Sequence, residues 1–167
     1  MTRPGAKDVF SGLADVQVRS SSPGWICFNI APSLDLKDRV IAFLRAQMEA
    51  DLAADLCDEL ATAMDELVSN AIEHGCKAVP HCGVEITYIK TSRIVLFQTR
   101  DAGPGFSMKR VRHAAVNNPP EDPLRHTKFR LKKGLRPGGF GIMLVRQIAD
   151  ELIYNENGNE VVLIKYL

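Results

Sequence analysis

Hydrophobic residues recur along the chain at two spacings. From Leu36 to about Ala50, Leu36, Val40, Phe43, Leu44 and Met48 fall near every third or fourth position, with Lys37, Asp38, Arg39 and Arg45 between them. That period predicts an amphipathic helix. A longer helix is predicted over about 53–74, where Leu52, Leu56, Leu60, Ala63, Leu67 and Ala71 form a stripe and Gly75 supplies the C-cap. Residues 25–30 read as a buried strand, and Pro32 and Ser33 after it as a turn and helix start. Residues 84–89 and 94–99 read as strands joined by 90–93 into a hairpin. A last helix is predicted from near Phe140, carrying Ile142, Met143, Val145, Ile148, Ala149 and Leu152 towards the core. A turn at 155–159 then separates strands at 152–154 and 161–164. Helices and strands in unequal groups, without strict alternation, predict a largely antiparallel sheet covered on one face by helices. The expected fold is a two-layer α+β sandwich without internal repeats.

Composition agrees with one compact domain: 167 residues, 46% hydrophobic and 25% charged. Residues 1–24 end in Ser20, Ser21, Ser22, Pro23 and Gly24, which predicts a mobile extension or a loosely attached strand. No apolar run approaches the roughly 20 residues that span a bilayer, and no signal segment follows Met1, so a cytoplasmic location is expected. A formal charge of +1 argues against a general polyanion binder, and no direct contact with nucleic acid is expected. Cys27, Cys57, Cys76 and Cys82 read as buried or incidental thiols. His74, Cys76, His81 and Cys82 superficially resemble a zinc site but lack a paired Cys-x-x-Cys.

Three segments carry chemistry. On the long helix Glu66, Asn70 and His74 are spaced by four, so they form a row flanking the apolar stripe. A carboxylate there can accept a proton, an amide oxygen can ligate Mg²⁺, and an imidazole can approach phosphate. The same row would also suit a solvated face with a histidine near the helix C-terminus. Next, Asp101 follows a strand and precedes Gly103 and Gly105. Its carboxylate can accept from an exocyclic amine such as that of adenine, while the glycines allow a tight turn and close approach to a ligand. Finally, Gly138, Gly139, Phe140 and Gly141 open the last helix, where exposed N–H groups and the helix dipole suit a phosphate. Neither the P-loop pattern nor the dinucleotide fingerprint fits this run.

In this order, Glu66-x-x-x-Asn70, Asp101-x-Gly103-x-Gly105 and Gly139-x-Gly141 resemble the N, G1 and G2 boxes of the GHKL (histidine kinase-like) ATPase superfamily. Within it, the run from Met64 to Gly75 is most similar to the serine kinases that act as anti-sigma factors and phosphorylate STAS-type anti-anti-sigma proteins. The similarity continues through 138–145 and 154–161 and covers about residues 25–167. It implies a Bergerat-type ATP-binding fold, with ATP and Mg²⁺ as cofactors. It implies Glu66 as general base, Asn70 as Mg²⁺ ligand, His74 on the phosphate side and Asp101 as adenine reader. Gly103, Gly105, Gly138, Gly139, Phe140 and Gly141 would form lid hinges and phosphate loop, and Arg39 would contact protein partners. A STAS-domain protein, a sigma factor and a second copy of the chain are the implied partners.

Residues 106–138 correspond to the family's ATP lid. Nine Lys/Arg against Glu121 and Asp122 give this segment +7, leaving −6 for the remainder. Positive charge over a triphosphate favours closure. Pro119, Pro120, Pro123, Gly134 and Pro137 argue against continuous helix or strand, and a disordered surface loop in the nucleotide-free form is the alternative. Arg125, Lys128, Arg130, Lys132, Lys133 and Arg136 are equal candidates for the closing contact. The leading functional expectation is an ATP-dependent protein serine kinase and anti-sigma factor. Its rival is a non-catalytic module whose partner surface is gated by ATP. The catalytic piece of a sensor histidine kinase lacks a preceding dimerisation helix with a phosphoacceptor histidine.

Overall fold

A computed structural model describes residues 5–77, 79, 81–106, 118–133 and 139–167. In chain order the elements are α1 (Ala6–Val9), β1 (Val16–Ser22), β2 (Trp25–Ile30), α2 (Leu34–Met48) and α3 (Ala54–Asn70), which runs on into a π-helical turn (Ala71–Gly75). After these come β3 (Val84–Lys90), β4 (Ile94–Asp101), α4 (Arg125–Lys132), α5 (Gly141–Ile148), β5 (Glu151–Tyr154) and β6 (Glu160–Tyr166). The six strands form one antiparallel sheet in the order β1-β2-β3-β4-β6-β5. The two-layer α+β sandwich expected from the pattern is the one that forms. Among the described residues no helix is long and apolar enough to cross a membrane.

Register sorts the sheet's residues by period-two alternation. Ile26, Tyr88, Phe97 and Leu163 lie in one row across four strands, and Phe28, Ile86, Thr99 and Val161 in the next. Both rows are buried beneath the helices. One row further on, Ile30 faces Val84 and Val84 faces Asp101, so a carboxylate occupies the helix-facing side where β4 ends.

Helix α2 starts at Ser33, whose hydroxyl accepts from the Leu36 amide at 3.4 Å, and buries Leu36, Val40, Phe43, Leu44 and Met48. Helix α3 buries Cys57, Leu60, Ala63, Met64, Leu67 and Val68. Two ion pairs tie α3 to α2. The Arg45 guanidinium donates to Asp58 from Nε at 2.9 Å and Nη2 at 2.6 Å. Lys37, expected on the polar face, is instead buried between Asp65 and Asp38. Its long stem spans the helix contact while its ammonium stays paired.

The structure also departs from the sequence reading elsewhere. Residues 5–24 are integral: β1 pairs with β2, and Ala6 and Phe10 of the N-terminal turn are buried. The Phe10 ring meets Phe28 and Phe43 edge-on, at centroid distances of 5.2 and 5.5 Å. Only two apolar positions of β1, Val16 and Val18, mark this strand, because it is the sheet's edge. Cys76 and Cys82 form a disulfide, with Cα atoms 5.4 Å apart, and are not free thiols. The chain between them turns back on itself through Val79 N–H to Cys76 O and Cys82 N–H to Val79 O bonds. Residues 125–132 form a helix, since the breakers that precede it end at Pro123. Met143, expected towards the core, is exposed on α5, and the helix stops at Ile148, so that Leu152 belongs to the strand expected at 152–154 and not to the helix.

Truncating Phe10 tests the first departure. Phe10→Ala removes a ring packed in the core, so unfolding by urea should show a loss of about 3–5 kcal/mol. A loss under 1 kcal/mol would return the N-terminal turn to the status of an appendage.

Candidate functional site

Where α3 ends, Glu66 and Asn70 stand one helical turn apart and line a cavity of about 470 Å³. Beyond Asn70 the helix widens: the Cys76 amide donates to Ala71 O at 2.8 Å, an i to i−5 bond. This extra residue rotates the last turn, so the row of three spaced by four does not continue as a straight line. Both Glu73 and His74 line the cavity.

Asp101 closes one end of the cavity. Its Oδ1 accepts the Gly103 amide at 2.8 Å, which leaves Oδ2 to accept from a ligand. Any side chain at residue 103 would overlap the Gly75 carbonyl, and one at residue 75 would overlap the Asp101 carboxylate. The helix end and the strand end therefore touch backbone to backbone. The β5–β6 turn grips the same loop: Asn159 Nδ2 donates to the carbonyls of Asp101 and Gly103, both at 3.1 Å, and the Asp101 amide donates to Asn159 O at 3.0 Å. Asn155 Oδ1 shapes that turn by accepting from the amides of Gly158, Asn159 and Glu160.

Gly139, Phe140 and Gly141 also line the cavity, at the start of α5. Here the first amides of the helix have no partner within it. The Glu66 carboxylate lies so close to Gly141 that a Cβ there would overlap it. Phe140 meets the buried His126 ring of α4 edge-on at 4.5 Å. Of the six basic candidates for a closing contact, Arg130 is the one that lines the cavity among the described residues. Leu67, Ala71, Phe106, Ile142, Tyr154 and Val161 supply apolar wall. Burial pushes the Tyr154 phenol up to about 12, so it stays protonated as a donor.

Burial also raises the carboxyl groups. Glu66 is held above the ordinary range mainly by desolvation, then by the nearby charges of Asp65 and Glu73, against the opposing pull of Lys37. Desolvation raises Asp101 too, offset by the Gly103 amide. Among the described residues no group of three or more His, Cys, Asp or Glu could hold a metal by itself. The donors present fit a Mg²⁺ that arrives with phosphate oxygens and keeps several waters, with one protein ligand such as the Asn70 amide oxygen.

The structure thus brings Glu66, Asn70, His74, Asp101, Gly105, Gly139, Phe140 and Gly141 to one cavity, with Gly103 directly behind Asp101. Arg39 is exposed on α2, away from the cavity lining. Gly138 lies outside the described residues, as does Arg136. Glu73, Phe106, Tyr154 and Asn159 were not legible as cavity residues. The one signal was the density of carboxamides in Asn155, Asn157 and Asn159, more than a simple turn requires.

A cavity with apolar walls, the Asp101 carboxylate and the glycine-rich start of a helix has the groups that a nucleotide's base and phosphates would need. Residues 30–165 match the histidine kinase-like ATPase domain family, and the chain belongs to it. Among individual proteins it is similar to the serine-protein kinase RsbW of Oceanobacillus iheyensis, 23% identical over 111 residues. That match covers 66% of this chain and 65% of the relative, so the aligned region spans just under two thirds of the relative's length.

The raised pKa of Glu66 has a consequence for stability. The folded state keeps the Glu66 proton at a pH where the unfolded chain, with a value near 4.3, has lost it. The associated stability is present at low pH, is lost as pH rises through the raised folded value, and stays lost above it. Glu66→Gln should therefore melt at or above the wild-type temperature at pH 7, with the gap narrowing as pH falls towards about 4. Calorimetry across that range checks this, and a variant melting well below wild type at pH 7 would contradict it.

Proposed function

We propose that this chain is an ATP-dependent protein serine kinase and anti-sigma factor, acting on a serine of a STAS-type anti-anti-sigma partner. The observation that carries the reading is the position of the Glu66 carboxylate: it lies against Gly141 at the start of α5, one turn from Asn70, in the same cavity as Asp101. Membership of an ATPase family and similarity to a protein named as a serine kinase support the reading.

Asp101 accepts the exocyclic amine of adenine, with Oδ1 fixed by Gly103 and Oδ2 turned to the base. The apolar walls from Leu67 to Val161 enclose the ring, and the triphosphate runs towards the first amides of α5. Asn70 would hold a Mg²⁺, which would supply positive charge against the phosphate charge that Glu66 and Glu73 repel. Arg130 and His74 stand on the phosphate side and stabilise the developing charge. Glu66 takes the proton of the substrate serine as its oxygen bonds to the γ-phosphorus and the bond to the bridging oxygen breaks, releasing ADP. A carboxyl raised by burial is a stronger base than one in water. Arg39, exposed on α2, contacts a partner protein, with the basic segment around α4 as the closing lid.

Two variants test the assignment. Asp101→Asn replaces an acceptor-only group by one that also donates, so calorimetric affinity for ATP should fall by about 1.5–3 kcal/mol. Unchanged affinity in the folded variant would remove Asp101 from base recognition. Glu66→Gln keeps the shape and removes the basic oxygen, so transfer of label from γ-labelled ATP to the serine of a STAS protein should slow about 10²–10⁴-fold while ATP binding survives. Transfer at the wild-type rate would move the base elsewhere. ATP-dependent partner binding without transfer by the wild type would favour the gated binding module.

A further inference from the structure

Among the polar side chains that line the cavity, Thr99 combines deep burial with a hydroxyl that has no partner among the described residues, and neither the motifs nor the proposed chemistry uses it. Thr99 lies two residues before Asp101 on β4, so both side chains project from the same face of the sheet. It is only 2% exposed, lines the cavity, and its Oγ1 has no hydrogen-bond partner among the described residues. Its cross-strand neighbours are Ile86 on β3 and Val161 on β6, which offer the hydroxyl nothing. The adjacent backbone groups are engaged in the sheet ladders. A buried hydroxyl without a partner costs free energy that an isosteric valine would not. Tyr88 also carries an unpartnered buried hydroxyl, but it lies outside the cavity lining, so among the described residues the buried unpartnered hydroxyl within a ligand's reach is that of Thr99.

Asp101 and Thr99 differ in what they offer. An ionised carboxylate only accepts, whereas a hydroxyl can donate. The edge of a 6-aminopurine presents an amine donor beside the acceptor ring nitrogen N1, and these two protein groups stand side by side. We propose that Thr99 is the second reader of the base: its hydroxyl donates to N1 while Asp101 accepts the exocyclic amine. The inference rests on the cavity binding an adenine nucleotide. It assigns half of the edge recognition to a residue outside every motif. It also explains a hydroxyl buried among apolar neighbours: the ligand supplies the bond that Ile86 and Val161 do not.

The test is a set of titrations of the full chain with ADP and with 1-deaza-ADP, in which N1 is replaced by C–H, together with melting of the nucleotide-free proteins. Thr99→Val should bind ADP about tenfold more weakly than wild type, and Thr99→Ser within about twofold of it. Wild type should lose a similar factor on going from ADP to 1-deaza-ADP. Thr99→Val should show no further loss with the deaza compound, because the two changes remove the same bond. Without nucleotide, Thr99→Val should melt at or above wild type. Unchanged ADP affinity in Thr99→Val, losses that multiply, or a melting temperature well below wild type would each overturn the role of Thr99. Absence of ADP binding by the wild type would remove the nucleotide reading itself, whereas normal wild-type binding with an indifferent Thr99→Val removes only this inference.

Discussion

Everything at the site depends on a contact that leaves no room for a side chain at residue 75 or residue 103. The π-helical turn after α3 reaches the end of β4 so closely that residue 75 must be glycine to leave room for the Asp101 carboxylate, and residue 103 must be glycine to leave room for the Gly75 carbonyl. Helix and sheet are thereby locked at the point where their two sets of polar groups meet. The disulfide Cys76–Cys82 begins one residue after this contact, and Asn159 binds the loop from the other side. The distance between the Glu66 end and the Asp101 end of the cavity is thus set by backbone, the least deformable part of a protein.

The cavity also gathers groups that folding alone would not choose. Glu66, Glu73 and Asp101 line one space, with desolvation raising Glu66 and Asp101, and Thr99 adds a hydroxyl without a partner. The rest of the molecule offsets this. Phe28, Phe97, Leu44, Leu60 and Leu163 are fully enclosed, and Lys37 and Arg45 bind α2 to α3 through paired charges. Stability is concentrated away from the cavity, as expected where binding requires unsatisfied groups.

Much of this was legible in the sequence. The strand over residues 25–30 and the hairpin strands of β3 and β4 follow from alternation and β-branched runs, because a sheet half-covered by helices enforces period two. Glu66 and Asn70 were readable because an α-helix repeats every 3.6 residues. The reading failed where no side-chain period exists. A π-helical turn changes the backbone bond from i−4 to i−5 without a side-chain signature, so Glu73 stayed hidden next to His74. The Cys76–Cys82 pairing depends on a chain reversal that spacing does not specify. Helix α4 has few apolar residues, and its His126 is buried against Phe140, a partner distant in the middle of another motif. Asn159 acts through its carboxamide on a loop 56–58 residues away, a separation that local pattern cannot see.

The Asp101 amide bond to Asn159 O, continued by the β4–β6 ladder, pinches the chain shut at the base of everything between those two residues. The entropy of closing such a loop grows only with the logarithm of its length, and a doubling adds about 0.6 kcal/mol. The sheet therefore scarcely registers how many residues intervene. Insertions or deletions in residues 106–138 would therefore leave the domain folded. Across chains of this architecture, the length of that segment can vary independently of the groups that line the cavity.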